Sequence, residues 1–407
     1  MGYAAPVMER PSRFQSRGGS PAWVLSLAAL TGVTALSIDM SLPAQPAIAR
    51  ELGVASGTAQ LTLSLFLIGF ACSQIVFGTL SDAIGRRPIL LAGLAVFTLA
   101  GAACALSSAI GVLLVARFVQ GIGASAAPVV ARAMVRDRQS TSDAARTLSS
   151  IMAVLAVAPM IAPVIGAALL ARFGWPAIFV ALTLLGIALL LLSAATLAET
   201  LPPERRVPLS FVALRGGMAR YFGTRATLAP TALVCLSFVG QFSFISNSPF
   251  VLIDGYGVSP QRFSLYFGAT ALALMVGSVI GRRLLQHTTP RRVLVFGACG
   301  LCAGGLLVFA GTNLRELGPL GVVAPMLVYC VGVGLTFPSA TAVAMEPVAA
   351  IAGLASAILG SLQMVSGALA GYVVSRLGGR EPYVLGTTLA LAGTLACALA
   401  LVSSRRR

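Results

Sequence analysis

Lysine is missing from this 407-residue chain altogether, histidine occurs once, and aspartate and glutamate together number 12. Without lysine there is no phosphate-binding loop of the GxxxxGK(S/T) type, whose lysine reaches the terminal phosphates of a nucleotide, so the chain does not drive its own work by ATP hydrolysis through such a loop. The lone His287 stands in a polar stretch between apolar runs, which excludes a histidine proton relay through those runs. Charged residues make up 10% of the chain and hydrophobic ones 57%. A soluble domain carries about a quarter charged residues, so a water-facing globule of this length has too few polar faces to cover itself. The seven cysteines, Cys72, Cys104, Cys235, Cys299, Cys302, Cys330 and Cys397, all fall in apolar runs. Cys299 and Cys302 form a CxxC, but it lacks the further ligands and aqueous access that a metal or redox site needs. No metal and no cofactor is expected.

What is present is a series of apolar stretches of about 20 residues, each long enough to cross a bilayer as a helix. They lie near 22–43, 59–80, 88–108, 111–131, 148–170, 176–197, 227–249, 264–285, 293–311, 319–341, 350–373 and 382–402. The short alternating segments of a transmembrane β-barrel are absent. All 28 basic residues are arginines. With the N-terminus in the cytoplasm, 21 of them fall on cytoplasmic segments, six outside (Arg50, Arg172, Arg262, Arg315, Arg376, Arg380) and one, Arg117, within a helix. That bias predicts both termini in the cytoplasm. It also assigns the net charge of +16 to anionic lipid headgroups rather than to nucleic acid.

Residues 198–226 are the longest polar interruption, carrying Glu199, Pro202, Pro203, Glu204 and five arginines. They divide the chain into a tail (1–21), six helices (22–197), a cytoplasmic linker (198–226), six helices (227–402) and a basic tail (403–407). The run Gly78-Thr79-Leu80-Ser81-Asp82-Ala83-Ile84-Gly85-Arg86-Arg87-Pro88 has a faint echo in Gly281-Arg282-Arg283 and Pro290-Arg291-Arg292, without the aspartate. Two parallel halves around a central site are the plan of a transporter in which one half rocks against the other. The expected fold class is therefore an all-α membrane protein of twelve transmembrane helices in two pseudo-symmetric six-helix bundles.

Asp39 is the only acid inside the expected segments, near the end of the first, and Arg117 is the only base well inside one. An ionisable group at that depth is costly and survives by facing a cavity or a partner. The two either form a static pair between the first and fourth helices, or couple proton or substrate movement, with Arg117 neutralising Asp39 in one state and releasing it in another. Gly78, Asp82, Gly85, Arg86 and Arg87 read as a latch that holds the cytoplasmic side shut. Pro159 and Pro163, four apart, each remove an intrahelical donor and bend the fifth helix, either as a fixed kink or as a seal. Candidate cavity residues are Gln60 and Ser64 on the second helix and Gln120 on the fourth. The seventh helix adds Gln241, Phe242, Phe244 and Asn247, the tenth Tyr329, and the eleventh Gln363 and Met364. An apolar pocket with a few polar groups suits amphipathic small molecules.

Over almost its whole length the chain resembles the major facilitator superfamily. Gly78–Gly93 looks like its signature loop between helices two and three. Asp39-Met40-Ser41-Leu42-Pro43, followed by Pro46, is similar to the first-helix motif of its twelve-helix, proton-driven drug antiporters. Arg117 and Gly121 match a helix-four motif whose arginine is implicated in proton coupling. Pro159, Pro163 and Gly166, then Gly174 and Trp175, resemble the antiporter helix of the bicyclomycin-resistance type, which includes exporters of chloramphenicol and florfenicol. The run Gln60-Leu61-Thr62-Leu63-Ser64 is similar as well. Two departures stand out: Ala162 precedes Pro163 where that helix usually has glycine, and Asp39 is not joined by a second acid in the first helices. The resemblance implies a monomeric, proton-coupled exporter of amphipathic drugs in a bacterial inner membrane, surrounded by lipid and working without a cofactor. A transporter of a metabolite, amino acid or siderophore is the alternative.

Overall fold

The computed structural model describes residues 20–378 and 381–405, so the expectations for residues 1–19, Arg380, Arg406 and Arg407 lie outside them. The described residues are almost entirely helical. The long helices are α1 (Pro21–Asp39), α3 (Ser56–Ile84), α4 (Arg86–Ala105), α5 (Ile110–Arg138), α6 (Thr141–Phe173) and α7 (Pro176–Thr196), then α9 (Arg225–Pro249), α10 (Pro260–Leu284), α11 (Pro290–Asn313), α12 (Leu320–Met345), α13 (Ala352–Arg376) and α14 (Pro382–Arg405). Two shorter ones are α2 (Gln45–Glu51) and α8 (Phe211–Gly223).

Local sequence sets many of the boundaries. Proline opens α1, α7, α10, α11 and α14, where its missing N–H costs nothing and its fixed φ suits the first turn. Ser20 and Ser259 cap two of these, accepting from the N–H of Trp23 and Arg262 at 3.3 Å each. Gly85, at φ +124°, separates α3 from α4 in a conformation that other residues rarely adopt.

Eleven stretches are long and apolar enough to cross a membrane. One of them, Leu320–Arg376, is 57 residues long and holds both α12 and α13, which are parted by the non-helical Val348 (φ −118°, ψ 23°). The first span runs on through a 3-10 turn at Leu42–Ala44 and α2 to Glu51. Asp39 therefore lies well inside a 31-residue stretch, not one turn from its end as the sequence predicts. The seventh also outruns its predicted end at 249, continuing as a π-helical turn, Phe250–Gly255, which draws Asp254 into the span.

The helices sort into two groups, α1 to α7 and α9 to α14, each packed mainly within itself. Between the groups α3 lies along α13, α6 along α10, and the α1–α2 turn against α9 and α10. The chain alternates ends, so the arginines at the α3–α4, α5–α6 and α10–α11 junctions and in the segment after α7 gather at one end, called here the arginine-rich end.

Candidate functional site

Asp39 closes α1 and is 6% exposed. Its neighbouring hydroxyls are spent on their own helix, Ser37 donating to the Val33 carbonyl at 2.6 Å and Ser41 to the Ile38 carbonyl at 2.8 Å. The four ion pairs among the described residues are Arg50–Asp254, Arg86–Asp82, Arg86–Asp137 and Arg146–Asp143, and none includes Asp39 or Arg117. Immediately after Asp39, the Met40 carbonyl is met by α6, the helix that carries Pro159 and Pro163. A Cβ on Gly166 of α6 would lie 2.0 Å from that oxygen, so only glycine permits this approach. In the same stretch, the Pro163 carbonyl accepts from Ser264 of α10 at 2.8 Å. The segment Pro159–Gly166 thus touches the acid-bearing turn in its own group and α10 in the other.

Arg117 is fully buried in the first group. Its Nη1 donates to Gln120 Oε1 at 2.8 Å and its Nε to the Thr62 carbonyl at 3.3 Å. The guanidinium carbon lies 4.4 Å from the Phe66 ring centroid and 5.6 Å from that of Phe179, within cation–π range. Nη2 has no hydrogen-bond partner. Thr62 in turn donates to Gln45 Oε1 at 3.3 Å, which links Arg117 through α3 to the α2 segment that follows Asp39. In this conformation Arg117 is held by a neutral amide, a backbone carbonyl and two aromatic faces, not by the carboxylate. Gln120, read from the sequence as a cavity residue, is engaged inside the first group with Arg117 and lies 3.9 Å from Cys104 Sγ.

Four of the predicted cavity residues do meet between the groups. Gln60 Nε2 of α3 donates to Asn247 Oδ1 of α9 at 2.8 Å. Ser64 Oγ, Phe242 Cε1 and Ser246 Oγ lie 3.1, 3.2 and 3.3 Å from where a Cβ on Gly371 of α13 would stand. Gln60 Oε1 and Ser64 Oγ are buried without hydrogen-bond partners. Ser246 and Gly371 were not legible as members, since small residues on apolar helices read as packing. Phe244 stacks on Phe267 with centroids 6.3 Å apart, a contact inside the second group. Tyr329 is buried with its hydroxyl against Gly240 and without a partner. Gln241, Gln363 and Met364 are half-buried.

At the arginine-rich end the predicted latch residues form a network with two acids that the sequence reading passed over. Arg86 pairs with Asp82, donates from Nε to Asp137 Oδ2 at 2.9 Å, and reaches Ser81 Oγ at 2.8 Å. Glu199, at the head of the linker, accepts the backbone N–H groups of Arg86 at 2.9 Å and Arg87 at 3.1 Å, capping α4. A Cβ on Gly85 would come within 2.7 Å of that carboxylate. Burial pushes the Glu199 carboxyl up, but N–H donation from Leu201, Arg86, Arg87 and Thr200 outweighs it and leaves the group below the ordinary glutamate value. The network stays within the first group. Beside it, a cavity of about 130 Å³ opens between α3, α5 and the first turns of α13, lined by Asp82, Arg86, Arg132, Arg136 and Gly353 among others. Asp137 was hidden among the arginines at 136 and 138; Glu199 was visible only as one polar residue of a hinge.

A family model described as the Major Facilitator Superfamily matches residues 27–371. The chain is 39% identical over 355 residues to the uncharacterized MFS-type transporter YdgK of Bacillus subtilis (strain 168), an alignment spanning 85% of this chain and 87% of the relative. To the multidrug resistance protein MdtL of Shewanella sp. (strain ANA-3) it is 32% identical over 340 residues, spanning 84% and 85%. To the bicyclomycin resistance protein homolog of Haemophilus influenzae it is 28% identical over 358 residues, spanning 87% and 89%. Among solved structures, a D-xylose-proton symporter superposes with a TM-score of 0.71 at 17% identity, covering 93% of this chain and 97% of that one. The human organic anion transporter MFSD10 gives 0.69 at 19%, covering 93% and 99%; at such identities these two speak for the fold alone. The chain belongs to the Major Facilitator Superfamily as a multi-pass membrane transporter, not an enzyme, among relatives named for multidrug and bicyclomycin resistance.

Proposed function

We propose that the chain is a proton-coupled antiporter that exports amphipathic small molecules, chloramphenicol-like compounds among them, by alternating access. The observation that carries this reading is Asp39: an acid well inside the first span, buried and outside every ion pair among the described residues, beside the Gly166 contact of the proline-bent helix. Such a carboxylate needs a cavity, water or a proton to be tolerated at that depth. Arg117 does not deprotonate in practice; held by Gln120 and Thr62, it is the cation, in the same half, that neutralises Asp39 in one state of the cycle and releases it in another. The relatives named for drug resistance support the substrate class, and the partnerless oxygens of Gln60 and Ser64, beside Phe242 and Asn247, suit a mostly apolar guest with a few polar groups.

In this reading the 57-residue stretch crosses twice, giving twelve crossings in halves 22–197 and 227–402 joined by the linker 198–226. The arginine-rich end faces the cytoplasm of a bacterial inner membrane, and the monomer is the working unit. Asp82, Gly85, Arg86 and Arg87, with Gly78, serve as the cytoplasmic latch. The polar bonds between the halves at the opposite end, Arg50–Asp254, Gln60–Asn247 and Ser264 to the Pro163 carbonyl, support a state closed to the outside.

The test is proton release from everted vesicles on adding chloramphenicol, native against Asp39→Asn. A drug-dependent signal in the native protein that the variant lacks is expected. A signal that survives the substitution removes Asp39 from the proton path. With folded protein present and no signal from either, the search turns to metabolites.

A further inference from the structure

The linker helix α8 has no role in the transport path described above, and its sequence is unusual for a cytoplasmic connector. Its 13 residues, Phe211 to Gly223, contain Arg215 and Arg220 but no acid. One face is already occupied: Gly217 and Tyr221 are buried, with Gly217 against Leu354 of α13 and Tyr221 packed with Val348, Ala355 and Ile358. The adjoining stripe is not. Phe211 is 87% exposed, Met218 36% and Phe222 45%. At spacings of seven and four residues these three fall on one side of a 3.6-residue helix. Arg215 projects beside them, and Arg220 lies on the opposite flank.

Position decides what such a stripe can meet. A single residue, Thr224, separates α8 from α9, which begins a membrane span at Arg225. The Tyr221 hydroxyl lies 2.7 Å from Thr231 Oγ1, six residues into α9 and so about 9 Å along it at 1.5 Å per residue. The last turn of α8 is therefore folded back beside the first turns of a helix long and apolar enough to span a membrane. A basic amphipathic helix at a membrane surface buries aromatic and aliphatic side chains at the interface and directs its arginines to lipid phosphates.

We propose that α8 is an interfacial helix whose exposed stripe enters an anionic lipid surface, with Arg215 and Arg225 set against the headgroups and Arg220 turned to the water. Its buried face couples that anchorage to the first turns of α13, which line the cavity between the two groups at the arginine-rich end. Lipid charge thereby bears on the linker and on α13 without touching the substrate.

The test uses the full chain in nanodiscs of zwitterionic phospholipid, with and without phosphatidylglycerol, and needs no transport reading. In Phe222→Trp, the emission gained over the parent protein is quenched by lipids brominated near the headgroup and spared by aqueous iodide. In the parent, amide exchange across 211–223 slows severalfold when phosphatidylglycerol is added, and Arg215→Gln loses most of that slowing while Arg220→Gln keeps it. Iodide quenching with no effect of brominated lipid would place the stripe in water and overturn the proposal. Iodide quenching that chloramphenicol relieves would assign the stripe to substrate entry and overturn it too. Exchange indifferent to lipid charge, in protein whose spans stay protected, removes the anionic part outright.

Discussion

Glu199 shows how much one carboxylate can organise at a helix start. It accepts four backbone N–H groups, two of them opening α4, where unsatisfied donors and the helix dipole both favour an anion. Burial opposes the charge and the donors outweigh it, so the folded protein holds this carboxyl below the ordinary value of 4.5. A lowered folded value means a stabilisation that is fully present above the ordinary value and lost as the pH falls through the folded one. Glu199→Gln keeps the shape and one acceptor but removes the charge. It is expected to cost about 1 kcal/mol at pH 7, a modest figure because the half-buried site is partly screened by water. Thermal unfolding in detergent at pH 7 and pH 3.5 checks both claims. The native protein and the variant should differ more at the first pH than at the second; a gap of equal size at both would mean that the charge is not what stabilises.

At the scale of elements, the sequence was most legible where a single local rule decides. Apolar runs located the spans, although the starts expected at 264 and 293 fall short of the prolines that open α10 and α11 at 260 and 290. Legibility failed where a helix continues past a conventional stop. The seventh apolar run is expected to end near 249, yet a π-helical turn carries α9 onward to Gly255. Likewise Pro43 read as the end of the first segment, although a 3-10 turn and α2 prolong that span to Glu51. Linker residues 211–223 read as polar hinge because three arginines in 215–225 masked the apolar stripe between them. Pairing was also out of reach: Arg117 and Gln120 stand one helical turn apart and could be joined from spacing alone, but nothing in the sequence places Thr62, Phe66 and Phe179 around them. Glycines are legible as permission and illegible as to partner. Gly166 is the sharpest case, since the atom that excludes a side chain there is a backbone oxygen, which cannot rotate away. Gly166→Ala should therefore force α6 off the Met40 turn at a cost of roughly 1–3 kcal/mol, as overpacking generally does. A lower melting temperature, with reduced drug-dependent proton release from the folded fraction, is the expected pair of results. An unchanged melting temperature would mean that the turn beside Asp39 is free to yield.

For the molecule as a whole, the question is how two helix groups can be held together at one end yet part in every cycle. The contacts between them must then be individually weak and differ between states, because a ligand or proton shifts an equilibrium only by its differential interaction with the two. Arg50–Asp254 fits that requirement: the pair spans the groups at 2.9 Å, but the arginine side chain is 63% exposed. Water and salt screen such a pair to less than about 1 kcal/mol, so breaking it changes the ratio of closed to open by up to roughly fivefold. Arg50→Glu replaces attraction by repulsion and should raise the population open at that end; adding Asp254→Arg should restore the closed state with the charges exchanged. Ser375, in the groove between α3 and α13 at the same end, offers a reporter. With Ser375→Cys in each background, labelling of intact cells by a membrane-impermeant maleimide, corrected for the seven native cysteines, should quicken in Arg50→Glu and fall back in the double variant. Equal labelling in the single and double variants would show that the pair is a bystander, and would leave closure at that end to the buried Gln60–Asn247 and Ser264–Pro163 bonds, whose hydrogen-bonding atoms water does not screen.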